Sequence, residues 1–187
     1  MDVGCHLGGD LRRLVIDGAP SDNLHGVDIV SHWDVGYELY RDKDRFAAHF
    51  IEADVLSSKE DPALWALLGR VDIISISALL HQWPWDQQVA AAKILVAFSK
   101  PGSVVVGYQI GNVEGKEVVF PATKRAVWRH DSTSLERMWR QVGAETGSTW
   151  ETKAVLRSWE SIGQDSESNS FLEPGNRALD FVITRAK

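Results

Sequence analysis

The first ten residues, Met-Asp-Val-Gly-Cys-His-Leu-Gly-Gly-Asp, hold three glycines, Gly4, Gly8 and Gly9, between two aspartates, Asp2 and Asp10. Glycines so placed let a backbone turn tightly and approach a ligand that side chains would keep away. A tight turn with no ligand has the same composition, so the loop alone settles nothing. Its charges say more. A phosphate cradle offers bare backbone amides at a helix N-terminus, whereas both carboxylates here would repel a phosphate. The loop suits a ligand with a cationic end and no phosphate.

Further carboxylates follow at related places. Asp28 closes the run "NLHGVD", twenty residues beyond Gly8, the separation at which an acid ending a second strand reaches ribose hydroxyls in nucleoside-binding α/β folds. Asp54 closes "RFAAHFIEAD", where it would accept from an adenine amino group while Val55 offered its backbone amide to the ring. Each aspartate alone could equally cap a helix or turn, but three at successive strand ends follow one plan. S-adenosylmethionine has the matching chemistry: an ammonium, a sulfonium and an unphosphorylated ribose. A nicotinamide dinucleotide is disfavoured by Asp2 and Asp10.

Composition limits what can carry such a site. With 187 residues, 44% of them hydrophobic and eight of them tryptophan, the chain can bury one sizeable core, and residues 1–187 read as a single domain. A net charge of −6 without a basic run argues against nucleic acid or an anionic membrane as partner. No apolar stretch approaches the roughly 18 residues that cross a bilayer, and no leader pattern is present, so the expected location is the cytoplasm. Cys5 is the only cysteine, which leaves no internal disulfide, and the six histidines lack ligand spacing, so no metal is expected.

The elements that must position the aspartates are legible as alternating segments. Residues 23–30, 45–55, 71–77 and 102–111 are short, apolar, β-branched runs of the kind that form buried parallel strands. Between them, residues 11–18 place Leu11, Leu14 and Val15 on one helical face and stop at Gly18. Residues 61–69 offer Asp61 as N-cap, Pro62 in the first turn and Gly69 as terminator, and residues 83–102 carry Val89, Ala92, Lys93 and Val96 at helical spacing. The last third changes character. "STSLERMWRQVG" has capping-box spacing from Thr133 to Glu136 and a stripe of Leu135, Met138, Trp139 and Val142. Residues 149–159 and 177–187 are strand-like and are joined by a polar loop near 161–176 with no helix, so they should pair antiparallel. The expected fold is α/β: a Rossmann-like doubly wound sheet, mostly parallel, with an antiparallel C-terminal hairpin.

In order, "DVGCHLGGDLRRL", "GVDI", "EADV", "SALLHQWPWDQQ", "KPGSVVVGYQIG" and "RHDSTSLERMW" resemble the successive motifs of class I S-adenosylmethionine-dependent methyltransferases, most nearly those of fungal meroterpenoid and other secondary-metabolite pathways. The resemblance covers residues 2 to about 187. It implies a cofactor site lined by Asp2, Gly4, Cys5 and Gly8, by Asp28 with Ile29, and by Asp54 with Val55. It also implies a small hydrophobic acceptor, a polyketide or terpenoid methylated at a carboxyl or hydroxyl oxygen. Displacement at the methyl carbon needs alignment and desolvation, and a carboxylate acceptor needs no base, whereas a phenol or alcohol gains from one. His81, after the fourth strand, is the candidate base, or else a residue that shapes the pocket or hydrogen-bonds backbone. Trp83 and Trp85 either line an apolar pocket or pack in the core. Tyr108 is a further acceptor contact, Gln109 a weaker one, and His130 reads as a surface or capping residue.

One feature departs from the family pattern, which places a longer apolar strand before Asp2 and a helical segment before that. Only Met1 stands there. A sheet lacking its central strand would leave two edges unpaired. The expectation is a truncated first strand, with strands two and four closing up or a second chain donating the strand, the arrangement that allows a homodimer. The alternative function is a catalytically silent methyltransferase-like protein, serving as a partner or with its pocket turned to another reaction.

Overall fold

The computed structural model describes residues 1–56, 61–120, 123–165, 169 and 171–187. Its elements are β1 (Asp2–Val3), α1 (Gly9–Ile16), β2 (His25–Asp28), α2 (Trp33–Tyr40), β3 (His49–Glu52), α3 (Pro62–Trp65), β4 (Val71–Ser75), α4 (Trp85–Phe98), β5 (Ser99–Asn112), β6 (Lys116–Val119), β7 (Ala126–Arg129), α5 (Ser132–Thr146), β8 (Trp150–Arg157) and β9 (Asn176–Arg185). Seven strands form one sheet in the order β3-β2-β1-β4-β5-β9-β8, and β6 pairs with β7 in a separate hairpin. The first five strands run parallel. β9 lies antiparallel to both β5 and β8. Strand order reverses between β1 and β4, and in such sheets a ligand site opens beyond the strands' carboxyl ends at that reversal.

Alternation along the strands assigns the two faces. Val27 and Ile51 point to the main core, with Leu64 of α3, Val89 and Leu95 of α4, and Leu135 and Trp139 of α5. The neighbouring Gly26 faces the other way, where an added Cβ would lie 2.8 Å from Cys5 Sγ and 2.8 Å from Trp33. That second core joins Cys5, Leu11 of α1, Trp33 of α2 and Phe46. α1 and α2 cover only the β1–β3 end of this face. Farther along it, Ile73, Val182 and Val155 are 59%, 45% and 56% exposed.

The first strand is two residues long, yet it keeps the central place. Asp2 pairs with Gly26 on one side and Ser75 on the other. The Ser75 amide donates to the Met1 carbonyl at 2.8 Å and the Gly4 amide to the Val27 carbonyl at 2.8 Å. Strands β2 and β4 therefore do not close up, and no second chain is needed to separate them.

Local pattern gives no helix signal for α2, because Gly36 and its aromatic neighbours are weak helix formers. Tertiary packing overrides that: Trp33 and Gly36 are buried, and a Cβ on Gly36 would lie 2.8 Å from the Leu7 carbonyl oxygen. The cap of α5 is Asp131, not Thr133: Asp131 accepts from the Ser134 amide at 2.8 Å, and Ser134 Oγ accepts from the Asp131 amide at 3.0 Å. In α1, Leu14 is exposed and Arg12 takes its place among the buried residues. His130 is fully buried, and burial pushes its imidazole down to about 3. The β6–β7 hairpin was likewise unanticipated.

Candidate active site

A cleft in two lobes opens at the strand reversal, and Gly4 borders both. Gly4 has φ +77°, and a Cβ there would lie 3.2 Å from Leu79 Cδ2, so a side chain would meet both strain and a wall. The smaller lobe, about 90 Å³, is lined by Val3, Val27, Asp28, Ile29, Asp54, Val55 and Trp83 among others. The larger lobe, about 290 Å³, is lined by Asp2, Cys5, His6, Asp10, Ala78 and Tyr108 among others. Acidic residues thus line both lobes.

Local backbone chemistry aims these groups. Asp28 accepts from the His6 amide at 2.8 Å and from the Val30 amide at 3.4 Å. It therefore ties the glycine-rich loop to the end of β2, using two of the roughly four acceptor positions a carboxylate offers. Asp54 accepts from the Leu56 amide at 2.9 Å, which turns the chain after β3. Both residues cap a turn and also line the smaller lobe. On the far side, Ala78 takes φ 53°, a left-handed conformation unusual for alanine, and its amide donates to the Tyr108 carbonyl at 2.7 Å. This joins the β4 and β5 ends that wall the larger lobe.

The electrostatics separate walls from working groups. Burial pushes the Asp2 carboxyl up to about 6, opposed by a hydrogen bond from Ser75 and reinforced by the charges of Asp10 and Asp28. Such a carboxylate favours a cation beside it. Burial also pushes the Cys5 thiol up to about 12, which keeps it protonated and makes it a wall, not a nucleophile. Among the described residues, no group of three or more His, Cys, Asp or Glu is placed to hold a metal ion, and no helix is long and apolar enough to cross a membrane.

The structure brings most of the sequence-read residues together and leaves three aside, Gly8, His81 and Trp85. Asp2, Gly4, Cys5, Asp28, Ile29, Asp54, Val55, Trp83 and Tyr108 line the lobes. Gly8 caps α1 from behind, with φ +71°. His81 lines neither lobe. It sits in a 3-10 turn over residues 80–82, its Nδ1 accepts from the Ile110 amide at 3.3 Å, and its carbonyl accepts from Arg129 Nη1 at 2.8 Å. Burial, with the Arg129 charge, pushes its imidazole down to about 4. Trp85 packs at the joint of α4, α5 and β7, with its indole N–H on Gln141 Oε1 at 2.9 Å and its ring 5.0 Å from that of Trp128. Gln109 is buried, whereas its neighbour Tyr108 on the opposite face is exposed. Sequence reasoning missed His6, Ala78 and Tyr40 in the larger lobe. Only the position of His6 between the glycines could have flagged it.

No family model matches the chain. Among curated proteins it is 38% identical to the O-methyltransferase phiE of a fungal species, the match covering 81% of this chain and 51% of that protein. It is 35% identical to the O-methyltransferase atr3 of Stereocaulon alpinum, over 99% of this chain and 53% of that one. To the Asnovolin E/Chermesin D methyltransferase nvfJ of Aspergillus novofumigatus it is 33% identical, over 99% and 65%. The chain spans about half the length of the first two. Among solved structures, the fold matches the 1,6-didemethyltoxoflavin-N1-methyltransferase of Burkholderia thailandensis with a TM-score of 0.69 at 15% identity, covering 100% of this chain and 70% of that one. It also matches the [4+2]-cyclase SpnF with a TM-score of 0.67 at 14% identity, covering 98% and 72%. By sequence, at 33–38% identity over 81–99% of its length, the chain is a homologue of fungal secondary-metabolite methyltransferases, and its fold is the one S-adenosylmethionine-dependent methyltransferases share.

Proposed function

We propose that this chain binds S-adenosylmethionine in the two-lobed cleft and serves methyl transfer to a carboxylate oxygen of a small hydrophobic metabolite. The observation that carries the reading is the distribution of acids about Gly4, with Asp2 and Asp10 in the larger lobe and Asp28 and Asp54 in the smaller. The donor set fits the cofactor: two carboxylates for hydroxyl and amino donors at one end, two for a cation at the other, and no phosphate cradle. When bound, the cofactor supplies a methyl group already activated by its sulfonium.

The chain's own residues would do the rest. Asp28 and Asp54 would accept from ribose and adenine, with Ile29 and Val55 as apolar walls beside them. Asp2 and Asp10 would hold the cationic end. Tyr108 and Trp83, at the rims of the two lobes, would guide the acceptor and exclude water. An acceptor that arrives ionised suits this site, because the imidazole of His81 is a weak base at about 4 and is engaged with Ile110 on β5.

Titration calorimetry of the 187-residue chain with S-adenosylmethionine and S-adenosylhomocysteine tests the reading. Saturable binding is expected, weakened at least tenfold in Asp54→Ala. It is also expected to be lost in Gly8→Val, whose new Cβ would meet Arg12 Nη1 at 2.9 Å on a left-handed backbone. A folded chain that binds neither compound would overturn it and favour the silent methyltransferase-like reading.

A further inference from the structure

Beside the glycine-rich loop lies a buried charged residue that lines neither lobe of the cleft. Arg12, on α1, is 4% exposed. Its Nε donates to Asp42 Oδ2 at 2.7 Å and its Nη2 to Asp42 Oδ1 at 3.2 Å, a two-pronged ion pair. Its remaining nitrogen, Nη1, donates to the Leu7 carbonyl in the middle of the loop. The guanidinium carbon lies 4.2 Å from the ring centroid of Phe46, 4.8 Å from Tyr40 and 5.3 Å from Tyr37. Arg12 is fastened on every side.

The passage it occupies exists because two residues lack side chains. A Cβ on Gly8 would stand 2.9 Å from Arg12 Nη1, and one on Gly36 would stand 2.8 Å from the Leu7 oxygen and 3.2 Å from Nη1. A buried ion pair yields little net stability, since desolvating both charges offsets their attraction. Geometry is what this one supplies. The start of the loop is held by β2, with the Gly4 and Cys5 amides on the Val27 carbonyl at 2.8 and 3.2 Å and the His6 amide on Asp28 at 2.8 Å, while farther along the Gly8 amide donates to the Cys5 carbonyl at 2.7 Å and Arg12 holds the Leu7 carbonyl.

We propose that Arg12 is a positioning residue for the cofactor loop, with Asp42 as its anchor. The pair pulls the Leu7 carbonyl back toward α2 and so holds Gly4, Cys5 and His6 in the shape that lines the cleft. The proposal rests on the cofactor reading for its consequence, but the loop geometry it asserts can be tested without any ligand.

The experiment uses Arg12→Lys, which keeps the charge but cannot span both Asp42 and Leu7, and Asp42→Asn, which keeps the side-chain shape. Each purified chain is followed by amide hydrogen exchange and by titration with S-adenosylhomocysteine, with thermal unfolding as the control for fold. Arg12→Lys is expected to speed exchange at the His6 and Gly8 amides at least tenfold, to leave β5 amides unchanged, and to raise the S-adenosylhomocysteine Kd about tenfold. Asp42→Asn should move both readouts the same way, and the double variant should add little to the single ones. If Arg12→Lys does not fold, Asp42→Asn alone decides. A folded variant with wild-type loop exchange and wild-type Kd, changed only in melting temperature, would show a purely structural role and sink the proposal. If the wild-type chain binds no S-adenosylhomocysteine, the cofactor reading fails and the exchange result still decides whether Arg12 holds the loop.

Discussion

Asp2 combines burial with a place in the cleft, and this gives the site a pH dependence whose sign follows from linkage. Its carboxyl titrates near 6 in the fold because burial disfavours the charge and Asp10 and Asp28 add repulsion, with the Ser75 hydrogen bond opposing both. The folded value lies above the unfolded one, so between the two the folded chain holds the extra proton and stability falls as pH rises. A cationic ligand reverses the preference, since it binds the carboxylate form better. Affinity for S-adenosylmethionine should therefore rise through pH 6 and be about tenfold weaker at pH 5 than at pH 7. Kd measured by titration from pH 5 to 8 checks this, with Asp2→Asn expected to be flat. A slope that survives in Asp2→Asn would assign the titration to another group. At this scale Asp28 and Asp54 stood out in the sequence because they recur at successive strand ends, although each alone could equally cap a turn, and both do cap one. His81 and Trp85 were legible only as alternatives, because a 3-10 turn after β4 sets His81 against β5 and the start of α4 sets Trp85 against Gln141 and Trp128.

Among the elements, α5 shows how a sequence can carry two plausible starts. The pair Thr133 and Glu136 has the capping-box spacing, but Asp131 and Ser134 form the reciprocal hydrogen bonds, and His130 Nδ1 meets the same Ser134 Oγ at 3.0 Å. Burial would raise the Asp131 carboxyl, yet the Ser134 hydrogen bonds outweigh it and hold the carboxyl below its usual range. Its contribution is thus present above the unfolded carboxylate value and is lost as pH falls through the lowered one. Asp131→Ala should cost about 1 kcal/mol at neutral pH, or about 2 to 4 °C in Tm for a domain of this size. Thr133→Ala should change little. Thermal unfolding of the two variants side by side separates the starts, and a larger loss in Thr133→Ala would restore the sequence reading. The parallel strands were legible because each carries a short apolar, β-branched run with at least one residue in the main core, such as Val27, Ile51 and Ile74. α2 was not, since its glycine is there to clear Leu7 and Arg12, a requirement set by another part of the chain.

For the molecule as a whole, the cleft lies where two cores meet. Val3 and Val27 belong to the core under α3, α4 and α5, Cys5 belongs to the core under α1 and α2, and all three line the lobes. The strand β1 that carries Val3 is only two residues long, so its hold on β2 and β4 is brief and the loop after it must be secured from elsewhere. The sheet order that creates this boundary is a long-range property. The expected Rossmann-like connectivity anticipated it, but the survival of a two-residue central strand could not be read from local pattern. Because loss of either core would dismantle the cleft, ligand binding should stabilise both together. S-adenosylhomocysteine at a hundred times its Kd should add about 2.7 kcal/mol to the unfolding free energy, which raises Tm by about 5 to 10 °C. Calorimetric unfolding over a series of ligand concentrations checks this, and one transition should move as a unit, with the shift cut by about half or more in Asp54→Ala. A second transition that stays in place would show that the α1 and α2 core melts apart from the ligand site. An equal shift in Asp54→Ala would place the ligand outside the cleft.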